Sequence, residues 1–222
     1  MRCPLGACRV EDMALTYFSG LDSSEGVLGD DAVGANARRW SVDRIVPVVG
    51  AGLAAVSYVS VSEGACREAG VPGTVGPVWV LRGATSYKRY TESIEQALLD
   101  AVQPALGRPE AGRAALIPIT KSTAWWELPQ DARRAIFEET SHHIAVGLEY
   151  LPAVARQLYH GRDLGEPFDF LSWFEFAPSD ESGFDQLLAR LRTSREWEYV
   201  EREIEIRLTR EPEVERLPLA NQ

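Results

Sequence analysis

The sequence predicts an α+β fold in which helices cover one side of antiparallel sheet, closer to ferredoxin-like repeats than to a doubly wound fold. Three observations predict it. Short runs rich in Val, Ile and Tyr recur between glycine-rich turns. Strand, helix and strand follow one another in each of two halves. Neither GxGxxG nor GxxxxGK[ST] occurs, so no nucleotide fingerprint supports a parallel sheet built around a phosphate loop.

The elements can be justified in order. FSGLDSSEGVLGDDAVGANARR (18–39) is dense in Gly, Ser and Asp without a sustained period, so residues 1–39 are expected to be loop-rich or poorly ordered, with the folded domain at 40–222 beginning near Trp40. RWSVDRIVPVV, AAVSYVSVS and VWVLRGATSY read as strands. From Ser93 to Val102 the period changes, and Ile94, Ala97, Leu98 and Ala101 share one helical stripe. AALIPITK is a strand, and a helix opens at Pro129, where proline suits a first turn, and runs through DARRAIFEETSHHIAVG until Pro152 interrupts. Beyond it Val154, Arg156, Leu158 and His160 alternate with Ala155, Gln157 and Tyr159, and FDFLSWFEF puts Phe168, Phe170, Phe174 and Phe176 on one face. Phe184, Leu187, Leu188 and Leu191 mark an amphipathic helix, and EREIEIRLTR closes the chain as a strand with Ile204, Ile206 and Leu208 on one side.

The 222 residues, 45% hydrophobic and 9% aromatic, suffice for a sizeable core. A net charge of −10 argues against a nucleic-acid partner, so an anionic ligand must be drawn by a local cation. No membrane partner is expected, since no apolar run has spanning length, and the start lacks the layout of a signal peptide, so a cytoplasmic location is expected. Cys3, Cys8 and Cys66 form no CxxC pair, which leaves no disulfide framework, zinc site or covalent c-type haem attachment to expect.

Two residues in HHIAVGLEYLPAVARQLYH stand out. On a regular helix His142 and His143 point about 100° apart, so they cannot share one pocket. His143 has the more apolar neighbours, Ile136, Val146, Gly147 and Tyr150, and Gly147 leaves room for a flat cofactor one turn on. On this pattern alone a hydrogen-bonded core histidine stands beside a ligand. Arg156 alternates with apolar residues and points inward, which requires either a carboxylate, with Glu175 and Asp169 as candidates, or a pocket that receives an anion. Lys121, Trp125 and Trp126 place a cation and two indole N–H donors within six residues, types that hold carboxylates at the edge of an apolar ring or simply form a core edge with a snorkelling lysine.

LRGATSYKRY, ALIPITKSTAWWELPQDAR, the thirteen-residue spacing from His143 to Arg156, DFLSWFEF and LLARLRTSREWEYVERE, taken in this order, resemble the chlorite dismutases, over most of the chain from about Trp40 to Arg210. The likeness is to the short-chain branch, which lacks part of the N-terminal half. It implies an antiparallel barrel of ferredoxin-like repeats flanked by helices, one non-covalent haem b per subunit, a homodimer, and conversion of chlorite to chloride and dioxygen. By position, His143 is similar to the ligand of the haem iron, Arg156 to the distal catalytic arginine, Glu196 to the carboxylate that binds the ligand histidine, and Gln103 to the glutamine that can hold that arginine. Lys121, Trp125, Trp126 and Tyr90 match haem-pocket and propionate contacts. Tyr87 stands where relatives often carry asparagine, a departure from the pattern. A coproheme decarboxylase-like enzyme, whose branch does not carry the distal arginine at this position, and a non-catalytic haem-binding or sensing protein of the same fold are the alternatives.

Overall fold

The computed structural model describes residues 15–22, 38–64, 76–85 and 90–211, and Cys3, Cys8, Cys66 and Tyr87 lie outside them. Eight strands among these residues form one antiparallel sheet: β1 (Leu15–Leu21), β2 (Arg38–Val49), β3 (Tyr58–Glu63), β4 (Trp79–Thr85), β5 (Arg113–Lys121), β6 (Ala155–His160), β7 (Phe170–Phe176) and β8 (Val200–Arg210). Their hydrogen-bonded order is β1, β3, β2, β8, β5, β7, β6, β4, and β4 pairs again with β1, which closes a barrel and leaves no sheet edge. The expected α+β barrel is therefore the observed one.

Alternation along the strands separates two apolar layers. Phe18, Trp40, Leu116, Trp173, Ile204 and Ile206 fill the barrel interior. On the outer face Ile117 and Ile119 of β5 and Phe174 and Phe176 of β7 meet α5 (Glu181–Arg192) through Phe184 and Leu188. Strand β5 is thus buried on both faces, which is why AALIPITK reads as a continuous apolar run rather than an alternating one. Its Pro118 has no N–H, and the pairing of β5 with β8 skips Ile117 and Pro118 between Leu116↔Ile206 and Ile119↔Glu203 without changing register.

Three expectations need correction. Residues 15–21, expected in the loop-rich N-terminal segment, form β1, and β2 begins at Arg38, two residues before Trp40. The short apolar run LTYFSGL is too brief to show a period, but pairing on both sides with β3 and β4 fixes it in the barrel. On α1 (Ser93–Val102) the predicted stripe faces outward, with Ile94 72% and Leu98 52% exposed, while Leu99 is the buried residue. That helix is held by the Glu95 to Arg134 ion pair and by Leu99, so its attachments rather than its most apolar face set its rotation. Phe168 lies before β7 begins and packs in the barrel interior, away from Phe170, Phe174 and Phe176.

The third correction matters most. The helix predicted from Pro129 is broken into α3 (Gln130–Arg134), a π-helical segment (Ala135–Thr140), and α4 (His143–Tyr150), with His142 between them in the left-handed region at φ 53°, ψ 37°. An α period cannot reveal an i→i+5 insertion, because each single residue remains compatible with a helix. Helix α4 does end where Pro152 requires, at Tyr150.

Candidate functional site

Between the outer face of β5, β6 and β7 and the helices α4 and α5 lies a cavity with about 1230 Å³ of atom-free space, counting its open mouth. Its walls are mostly apolar, with Ile117, Ile119, Phe170 and Phe174 from the sheet and Leu187 and Leu191 from α5. His143, Glu196, Lys121, Trp125, Tyr90 and Arg156 also line it. The alternation that pointed Val154, Arg156, Leu158 and His160 one way points all four into this space.

His143 opens α4 and its Nδ1 lies 2.7 Å from Glu196 Oε2. A carboxylate there accepts the Nδ1 proton and leaves Nε2 as the nitrogen with a lone pair for a metal. Its ring is stacked on Phe137, with centroids 4.4 Å apart. Helical rotation does not separate the two histidines, since His142 is outside the helix; it is exposed, whereas His143 faces the cavity.

Glu196 sits in a 3₁₀ turn (Arg195–Tyr199), and its own N–H donates to Ser141 Oγ at 2.9 Å. Lys121 Nζ donates to Glu196 Oε1 at 2.7 Å and to its carbonyl oxygen at 3.3 Å. Burial works to raise the Glu196 carboxyl, but the charges of His143 and Lys121, and their hydrogen bonds, outweigh it and hold the group down at about 2. Lys121 is therefore joined to the histidine's carboxylate instead of standing free at a cavity edge. Its ammonium also lies 4.7 Å from the centre of the Trp125 ring.

The two tryptophans, both on α2 (Thr123–Glu127), divide. Trp125 is buried against the cavity, and its indole N–H has no acceptor among the described residues. Trp126 is not in the lining; its N–H donates to Asp169 Oδ2 at 3.1 Å and Arg162 lies 4.1 Å from its ring centre. Tyr90 lines the cavity and its hydroxyl accepts from Arg133 Nη1 at 3.1 Å.

Arg156 is half-buried on β6 and faces the cavity, and among the described residues its guanidinium has no carboxylate partner. Both candidates are engaged elsewhere: Asp169 with Arg162, Trp126 and the N–H of Lys121, Glu175 with Arg38, Arg210, Trp173 and the N–H of Gly107. Burial pushes the arginine below its ordinary value and the Glu196 charge acts the other way, yet a guanidinium stays protonated. Gln103, which follows α1, donates from Nε2 to the carbonyl oxygen of Arg156 at 2.9 Å, so it holds the strand that carries the arginine and not the guanidinium. Ser141 and Phe137 were not legible as site residues, because each reaches the site through the broken helix rather than through a sequence period.

The family model described as chlorite dismutase matches residues 55–211. A chlorite dismutase from Ideonella dechloratans is 33% identical over 78 residues, a stretch that is 35% of this chain and 25% of that relative's length. Among solved structures, a dimeric chlorite dismutase from Nitrobacter winogradskyi is 51% identical, with a TM-score of 0.73 over 88% of this chain and 99% of that one. A variant chlorite dismutase from Candidatus Nitrospira defluvii shares the fold at 18% identity, with a TM-score of 0.64 over 90% of this chain and 92% of that one. With its barrel, its cavity and a family match across most of its length, the chain belongs to the chlorite dismutase family.

Proposed function

We propose that this chain is a haem b-dependent chlorite dismutase that converts chlorite to chloride and dioxygen, ClO₂⁻ → Cl⁻ + O₂, with one haem in each subunit of a homodimer. The observation that carries the reading is one cavity that holds both a histidine with its Nδ1 engaged by a buried carboxylate and an arginine with no carboxylate partner among the described residues.

The residues present fit a haem. Apolar side chains offer faces for a flat ring, His143 offers one nitrogen, and a Cβ built on Gly147, which lines the cavity, meets nothing within 4 Å. Among the described residues the buried N–H of Trp125 has no acceptor, and a carboxylate at the ring's edge would supply one. Bound by His143, a ferric haem offers an open coordination position for an oxyanion and the redox chemistry of oxygen transfer.

The chain's own residues have separable tasks. Glu196 holds His143 in one tautomer and makes the imidazole a stronger donor, and Lys121 keeps that carboxylate ionised. Arg156 is the cation that draws a small anion into a protein of net charge −10 and retains oxyanions within the cavity until dioxygen leaves. Gln103 fixes the main chain of Arg156. Trp126 and Tyr90 support the wall through Asp169 and Arg133.

The test is oxygen release on an electrode when chlorite is added to haem-loaded protein. Rapid release equimolar with chlorite is expected. Haem-loaded protein that releases none would return the chain to the haem-binding alternatives.

A further inference from the structure

The break in the predicted helix has a use. Helix α4 begins without a conventional cap: its N-cap residue is His142, whose side chain makes no capping bond and whose backbone is left-handed. The first N–H groups of a helix need acceptors, and the usual source is the N-cap side chain. Here the acceptor comes from the π-helical segment. Glu138 accepts from Ile144 N–H through Oε2 at 2.6 Å and from Ala145 N–H through Oε1 at 3.2 Å. The same residue's carbonyl oxygen accepts the His142 N–H at 2.9 Å, and the Ser141 N–H donates five residues back to Ile136 at 3.1 Å. The segment also supplies Phe137, whose ring is stacked on the His143 imidazole. In one continuous α-helix Glu138 and His143, five residues apart, would point to different sides of the helix axis. The π segment and the left-handed His142 instead turn the carboxylate back onto the first turn of the helix that His143 opens.

We infer that Glu138 is a positioning residue for His143: its carboxylate clamps the start of α4 and thereby sets where the imidazole stands relative to Glu196 and the cavity. The inference rests on the reading of His143 as the haem ligand. His142 contributes backbone only, as a turn residue in a conformation that asparagine or glycine tolerates and a β-branched residue does not. The doublet of histidines is thus one ligand and one hinge.

The test has one part that needs no haem and one that does. In the haem-free full chain, Glu138→Ala is expected to speed hydrogen exchange at the Ile144 and Ala145 amides about tenfold, the size of a lost helix cap, while the amides of β5 and β8 keep their protection. Glu138→Gln keeps an acceptor without the charge and is expected to give a smaller acceleration, about threefold. Loaded with haem and reduced, Glu138→Ala is expected to shift and broaden the iron–imidazole stretch, and Glu138→Gln and His142→Gly to stay near the parent band. Unchanged exchange at both amides, in Glu138→Gln should the alanine variant not fold, overturns the inference. So does faster exchange accompanied by an iron–imidazole band identical to the parent's. His143→Ala separates the two readings: a parent-like haem spectrum in that variant removes the ligand assignment, whereas the exchange result stands without haem.

Discussion

Glu196 Oε2 and His143 Nδ1 lie 2.7 Å apart although 53 residues separate them in the chain, and the other oxygen of the same carboxylate is 2.7 Å from Lys121 Nζ. A 3₁₀ turn, a helix start and a strand end meet at one buried carboxylate. Removing a carboxylate that orients a metal-binding histidine weakens metal affinity roughly 10–100-fold. Glu196→Ala is therefore expected to release haem faster by that order and to raise the ferric/ferrous potential, read by haem transfer to an acceptor protein and by spectroelectrochemistry. Retention and potential equal to the parent's would remove the role assigned to Glu196.

Arg156 faces the cavity without a carboxylate partner among the described residues. A charge-assisted contact to a bound anion contributes roughly 1.5 kcal/mol, about tenfold in rate. Arg156→Ala should lower turnover by about that factor and shorten the life of the haem absorption band during turnover, while Arg156→Lys recovers part of both. Stopped-flow spectra with chlorite measure both quantities in one experiment.

Gly147 gives a steric prediction. It sits inside α4, where glycine costs about 1 kcal/mol relative to alanine, and a Cβ there meets nothing within 4 Å. Gly147→Leu is expected to leave the haem-free protein as stable or slightly more so in urea, and to oppose haem uptake by filling the ring's space. Undiminished haem binding by this variant would place the ring elsewhere.

Glu205 supplies the pH dependence. Burial raises its carboxyl, but Arg44, Arg192 and Arg207 outweigh burial and hold it down at about 2, against an ordinary 4.5. A depressed carboxylate stabilises the fold fully above the ordinary value, and that contribution is lost as pH falls from about 4.5 toward about 2. Denaturation midpoints across this window should fall for the parent protein and fall less for Glu205→Gln. At neutral pH Glu205→Ala should cost about 2 kcal/mol, since it removes the hydrogen bonds to Arg44, Arg192 and Arg207 while Arg192 keeps Glu203 and Arg207 keeps Asp185.

Much of the site was legible residue by residue. Arg156 was readable because a cation in an alternating apolar strand has few ways to be satisfied, and both candidate carboxylates turn out to be engaged with other groups. His143 is readable from Gly147 and Tyr150, which share α4 and the cavity wall with it, and not from Ile136, which lies beyond the break. For Lys121 and Trp126 residue type suggests hydrogen-bonding capacity but not the partner, and the structure pairs them with Glu196 and Asp169. The direction of the α1 stripe is not legible for a related reason: periodicity identifies a face, and only attachment decides which way it turns.

By itself the sequence determined the α+β class, the inward direction of Arg156 and the strands from β2 to β8, because strand period, proline and alternation act between near neighbours along the chain. Only the tertiary structure decided that β1 closes the barrel, that Glu138 rather than a local side chain caps α4, and that Lys121, Glu196 and His143 share one buried hydrogen-bonded group. Those outcomes depend on hydrogen-bond partners that are distant in sequence or displaced by a π turn, and a partner's position is a property of the packed chain, not of any segment of it.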